Sequence, residues 1–297
     1  MSDAAGTGTG AAGASGLRAR LVPAGRTAVK GAAAAADLLR RDRAGVTVLI
    51  YHRVGLHLLD GGGAGQMDVD PGDFDRQVAW LAANRRVLSL DEALSELSGP
   101  TDGAGPDRSA VVLTFDDGTP DWVEHALPVL ERHRVPATFY VATRFVDERE
   151  ELPGGGRPIT WAALRELDSS DLVTVGSHTH GHVLLDRLAP GRVDEELDRS
   201  VDLLGEHLGS APEHFAYPKA VAGSPVAESA VRRRFRSAVL AGTRANRPGQ
   251  DPHRLNRSPV QRSDGERWFR RKVDGGLALE DDLRRSANRV RHRGRTT

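Results

Sequence analysis

Val111-Val112-Leu113-Thr114-Phe115-Asp116-Asp117-Gly118 is a short β-branched and aromatic run that ends in two adjacent carboxylates and a glycine. Buried strands end this way where a barrel or sheet presents acids at its mouth. Working outward, Val46-Thr47-Val48-Leu49-Ile50-Tyr51 is a second apolar run, and it stops at His52-Arg53. Ala137-Thr138-Phe139-Tyr140-Val141 is a third. Shorter runs predict strands at Val87-Leu88, Leu172 to Val175, Phe215-Ala216-Tyr217 and Ala238-Val239-Leu240. Helical spacing predicts helices between them, over Pro71 to Asn84, Asp91 to Leu97, Pro120 to Arg134, Trp161 to Leu167, Val193 to Leu208 and Ala227 to Phe235. Ser89-Leu90-Asp91-Glu92 reads as the capped start of the second of these. Alternation of strand and helix implies a parallel sheet. The expected fold is therefore α/β, a distorted (β/α) barrel of seven parallel strands, with chemistry gathered at the C-terminal strand ends. His52, Asp116-Asp117, the histidines after Val175 and Pro218 all fall at such ends.

Three segments divide the 297 residues. Residues 1–44 form an N-terminal extension, small-residue-rich and then weakly helical, that reads as disordered at its start. Residues 45–265 carry the alternating pattern, and 266–297 read as a charged helical tail, sparse in apolar residues from Arg284 to Arg295. Lysine plus arginine equals aspartate plus glutamate at 41 each, which argues against a nucleic-acid partner. No cysteine is present, so a metal would have to sit on histidine and carboxylate. No apolar run approaches a transmembrane span of about 20 residues. Arg18, Arg20, Arg26 and Lys30 precede an alanine-rich stretch that Asp37 interrupts, a poor secretory signal. The expectation is a protein in the cytoplasm or peripheral at the cell envelope.

Two neighbouring carboxylates repel, and a bound cation is the usual device that holds them. Gly176-Ser177-His178-Thr179-His180-Gly181-His182 supplies partners. His178 and His182 are spaced to share one face of a helical turn, as two ligands of one cation must. With one carboxylate they make a His-His-Asp site that leaves positions open for water and substrate, and zinc there lowers the pKa of water and polarises a carbonyl. The second carboxylate is left to act as general base. His180 is expected to point away from the metal.

Thr114-Phe115-Asp116-Asp117-Gly118 and His178-Thr179-x-x-His182 resemble the first two motifs of the polysaccharide deacetylases, the NodB-homology group of carbohydrate esterase family 4. Ala137 to Val141 and Phe215-Ala216-Tyr217-Pro218 are similar to later strands of that family. The resemblance runs from about Val46 to Val260, and the two motifs together are specific. It implies a metal-dependent hydrolase that removes N-acetyl groups from amino sugars of a polysaccharide or cell-envelope glycan. Asp117, His178 and His182 would hold Zn2+ or another divalent transition metal, Asp116 would be the base, and Thr179 would brace the loop by hydrogen bonding. Lys219, after Pro218, would offer its backbone N–H to the oxyanion.

The chain departs from the family pattern in several places. The late leucine–histidine motif, the third-motif arginine and the Asp-x-x-Asp-Trp motif are missing, and Ala220 replaces a common glycine. Leu49-Ile50-Tyr51-His52 resembles instead the permuted arrangement of the poly-N-acetylglucosamine deacetylases, in which the acid histidine comes from the N-terminal side. His52 would then be the acid, and Arg257 would supply the charge that orients Asp116. The alternatives are a catalytically inactive glycan-binding barrel and a metal-dependent amide hydrolase acting on a small molecule. A metallo-β-lactamase-like hydrolase is disfavoured, because Gly181 stands where that pattern needs an aspartate.

Overall fold

The computed structural model describes residues 45–55, 66–99 and 110–277. The expected extension over 1–44, the glycine loop at 61–63, most of the polar loop before Ala110 and the tail from 278 lie outside these residues. The strands are β1 (Val46–Tyr51), β2 (Arg53–Val54), β3 (Asp68–Val69), β4 (Arg86–Val87), β5 (Ala110–Asp117), β6 (Ala137–Val141), β7 (Val173–Ser177), β8 (His214–Ala216), β9 (Ser237–Val239) and β10 (Arg257–Pro259). The helices are α1 (Pro71–Asn84), α2 (Leu90–Leu97), α3 (Leu127–His133), α4 (Thr143–Glu148), α5 (Trp161–Asp168), α6 (Pro190–Leu208), α7 (Pro225–Arg234) and α8 (Gly265–Val273).

Seven parallel strands follow one another in the order β10-β1-β5-β6-β7-β8-β9, with β4 paired beside the start of β5. The ring is nearly closed by a parallel bridge from Leu255, just ahead of β10, to Val239 of β9. Leu240 N–H donates to the Leu255 carbonyl at 2.8 Å and Leu255 N–H to Ala238 at 3.1 Å. Of the seven ring strands, β10 is the one that sequence patterning does not show. It takes the place expected of Val87-Leu88, which lies beside β5 off the ring. The short β2–β3 pair is also absent from the patterning. Arg257-Ser258-Pro259 lacks an apolar run, and it becomes a strand by pairing with Val48, Leu49 and Ile50 of β1. A sheet buried on both faces supplies the missing drive.

Alternation along β1 and β5 divides the core. Leu49, Tyr51, Val111, Leu113 and Phe115 pack outward with Phe74 and Val78 of α1, Leu130 of α3 and Leu164 of α5. Phe115 stacks on Phe139 at 4.5 Å between ring centroids. Val46, Val48 and Val112 pack instead with Tyr140, Ala216, Val239, Leu255 and the buried face of α2. Strand parity therefore carries Asp116, in phase with Val112 and Thr114, to the inner face, the requirement for an acid at a barrel mouth. At Gly176 an added Cβ would lie 2.6 Å from the Tyr140 ring, so only glycine lets that ring fill the interior.

The helices start where their caps say. Asp70 accepts the Gly72 N–H at 2.9 Å ahead of Pro71, and Ser89 and Glu92 form a reciprocal capping box. The continuous helix expected over Pro120 to Arg134 is a π-turn at Trp122–Ala126 followed by α3. The extra residue in that turn presents the Trp122 indole to the end of β1, where its Nε1–H donates to the His52 carbonyl at 2.8 Å. α8 falls beyond the residue-265 boundary expected from sequence, yet it packs on the barrel: Phe269 and Val273 are buried, and Lys272 donates to the Pro259 carbonyl at 2.7 Å. Among the described residues, no helix is long and apolar enough to cross a membrane.

Candidate active site

Asp117, His178 and His182 meet at the C-terminal mouth, each offering one ligand atom, with these atoms within 4.8 Å of one another. His178 Nε2 is 3.6 Å and His182 Nε2 3.4 Å from Asp117 Oδ1. His178 Nδ1 lies 2.8 Å from the Ala216 carbonyl. A carbonyl only accepts, so Nδ1 carries the hydrogen and Nε2 turns a lone pair toward Asp117. Burial pushes both imidazoles down to about 4, and each is a neutral donor at ordinary pH. Two neutral imidazole nitrogens and one carboxylate oxygen are the donor set of a hydrolytic metal centre with an open position.

The chain reaches this geometry through strained backbone, not a helical turn. His178 to His182 form a loop, with Thr179 at φ 65° and His182 at φ 54°. The expectation of a shared helix face is corrected: left-handed residues fold the loop back so that a four-residue spacing still converges. Asp117 (φ 88°), Lys219 (φ 52°) and Ala220 (φ 54°) adopt positive φ as well, so strain concentrates at one mouth. The Thr179 hydroxyl is buried with no hydrogen-bond partner among the described residues, which leaves the bracing expected of it unsupported. His180 Nδ1 sits 3.0 Å from the Thr143 hydroxyl, turned to α4 and away from the cluster.

Asp116 is buried beside the cluster, its Oδ2 4.0 Å from His178 Nε2. Arg257 grips it bidentately, Nη1 to Oδ1 at 2.6 Å and Nη2 to Oδ2 at 2.8 Å. The same guanidinium donates to the Thr114 hydroxyl at 3.0 Å and to the Leu240 carbonyl at 3.2 Å. Burial pushes the Asp116 carboxyl up, but the Arg257 charge, followed by His178, outweighs it and holds the carboxyl at about 2. His52 follows β1 at the same mouth, near enough for its charge to act on Asp116 and on His182. Its Nδ1 is buried and unpartnered among the described residues. The Lys219 charge also acts on His182, which puts the turn after Pro218 at the site.

Asp121 is a site neighbour that sequence reasoning passed over. Its carboxylate accepts the Val54 N–H and, with the Trp122 indole, ties the segment after His52 to the segment after Asp117. Its position a few residues past the acid pair was the only available signal. A second donor cluster, Asp91, Glu213 and His214, is held by Arg236, which lies 2.9 Å from Asp91 and 2.6 Å from Glu213 and supplies the cation itself.

The model of the polysaccharide deacetylase family matches residues 103–236. The poly-beta-1,6-N-acetyl-D-glucosamine N-deacetylase of Staphylococcus aureus is 28% identical over 159 residues, covering 50% of this chain and 53% of that protein. The chain spans about half the length of the curated relatives it matches. Among solved structures, IcaB from Ammonifex degensii superposes with a TM-score of 0.63 at 28% identity, covering 78% of this chain and 97% of that one. The Streptococcus pyogenes deacetylase PplD, solved with acetate, gives 0.65 over 77% and 98% of the two chains; at 21% identity it is a likeness of fold.

Proposed function

We propose that this chain, which belongs to the NodB-type polysaccharide deacetylase family, is a metal-dependent hydrolase that removes N-acetyl groups from amino sugars of a glycan. The observation that carries the reading is the convergence at one barrel mouth of Asp117, His178 and His182 with an Asp116 clamped by Arg257. NodB-type deacetylases are metal-dependent, and the two neutral imidazoles with one carboxylate fit zinc in particular. The name of the Staphylococcus aureus relative favours poly-N-acetylglucosamine as the glycan.

Asp117, His178 and His182 would hold a zinc ion, which when bound would supply Lewis-acid polarisation of the acetamide carbonyl and lower the pKa of water. Asp116 accepts the proton of the attacking water, and its orientation comes from Arg257, which fixes both oxygens. The backbone N–H of Lys219 would donate to the oxygen that gains charge as the carbonyl carbon becomes tetrahedral. His52 gives a proton to the sugar nitrogen as the C–N bond breaks, since an amine leaves poorly without one. The products are acetate and a free amino sugar.

The reading is tested by incubating zinc-loaded protein with N-acetylglucosamine oligomers and measuring acetate and free amine together. Equal release of the two by wild type, lost in Asp116→Asn, is the expected result. Binding of the oligomers without acetate release would favour the inactive glycan-binding barrel.

A further inference from the structure

The loop that carries His178 and His182 has two left-handed residues and a buried threonine hydroxyl with no hydrogen-bond partner among the described residues. Groups other than the Thr179 hydroxyl must hold it in shape. The first turn of α4 contributes, with the Thr143 and Arg144 N–H groups donating to the Thr179 and His180 carbonyls at 3.3 and 2.9 Å. Further support comes from α6, whose buried face is Val193, Glu196, Leu197, Ser200, Leu203 and Leu204. Glu196 and Ser200 are the polar members of that face, one helical turn apart, and both reach the loop. Ser200 Oγ meets Ser177 Oγ at 2.8 Å, and Ser177 Oγ accepts the Thr179 N–H at 3.3 Å. Glu196 Oε2 accepts the Gly181 N–H at 2.7 Å, and the Glu196 backbone carbonyl accepts the His180 N–H at 3.2 Å. An added Cβ at Gly181 would sit 3.0 Å from Glu196 Oε1, a tight approach to which the carboxylate would have to yield.

We infer that Glu196 is a positioning residue of the metal centre: its carboxylate, seated on α6, holds the Gly181 N–H and thereby fixes where His182 Nε2 points. A glutamate on a buried helix face costs stability unless its oxygens are used. Here one oxygen satisfies a buried backbone donor in the residue next to a ligand. The inference rests on the reading of Asp117, His178 and His182 as the metal site. Outer partners that orient ligands govern metal affinity as well as activity.

The test uses the full chain, stripped of metal, with zinc affinity measured by competition against a chromophoric chelator. Glu196→Ala should weaken zinc binding by about 10–100-fold, the usual loss when a ligand's support is removed. Glu196→Gln keeps an acceptor at the same reach and should bind near wild type. Hydrogen exchange at the Gly181 amide should speed up in the alanine variant and stay slow in the glutamine variant. If Glu196→Ala does not fold, Glu196→Met fills the volume without an acceptor and takes its place. Wild-type affinity in the alanine or methionine variant overturns the inference, and so does a glutamine variant as weak as alanine. A wild-type chain that binds no zinc overturns the metal-site reading itself, which is a separate result.

Discussion

Arg257 and Asp116 stand 141 residues apart in the chain and join through two parallel hydrogen bonds of 2.6 and 2.8 Å. Both side chains are buried, with relative exposures of 0% and 6%. Such a pair contributes little net stability while intact, but breaking one half leaves a charge in the barrel with nothing to balance it. Arg257→Ala should therefore destabilise the fold by about 3–5 kcal/mol, read from urea unfolding. Arg257→Lys should keep more of the stability and still lose activity, because an ammonium cannot match both oxygens. An alanine variant as stable as wild type would contradict this view of the pair.

Asp116→Asn should retain one zinc per chain by elemental analysis. Deacetylation should fall by roughly 10²–10⁴-fold, the worth of a general base. Asparagine keeps the shape and cannot take the proton. Turnover close to wild type would move the base to another residue.

Metal content distinguishes the histidines. Prolonged chelation should abolish activity and zinc should restore it. His182→Ala should lose stoichiometric zinc, whereas His180→Ala should keep it, because His180 is turned toward Thr143. Zinc loss on changing His180 alone would require a different ligand set.

His52→Ala should leave zinc affinity intact and cripple amide hydrolysis. Hydrolysis of an activated acetyl ester should suffer much less, since its leaving group needs no proton. Equal losses on both substrates would leave the chain without the proposed acid.

Ala220 adopts φ 54°, a conformation that costs a residue with a Cβ about 1–2 kcal/mol. Ala220→Gly should raise the thermal midpoint. A lowered midpoint would show that the alanine methyl contributes more packing than its backbone strain costs.

Much of the fold could be read directly from residues. Val46–Tyr51 and Ala137–Val141 are continuous apolar runs because both faces of their sheet are covered, and Ser89 with Glu92 announces α2. The acids and histidines stand out because they interrupt apolar strands at one end. What stayed hidden depends on tertiary context. Arg257-Ser258-Pro259 has the composition of a loop and is a strand only because β1 offers it an edge. The convergence of His178 and His182 was legible, but its means was not, since a four-residue spacing looks alike in a helix and in a loop with left-handed residues. Glu196 resembles any solvent-facing helix glutamate until its carboxylate is seen against the Gly181 amide.

The strand that nearly closes the ring also carries the guanidinium that balances Asp116. During synthesis the acid emerges well before its counterion. A nascent chain halted short of Arg257 would lack both the guanidinium that balances Asp116 and the strand that pairs with β1. Chemical competence would therefore wait on the emergence of β10, since a fragment ending before it would have an open seam along β1 and an uncompensated carboxylate.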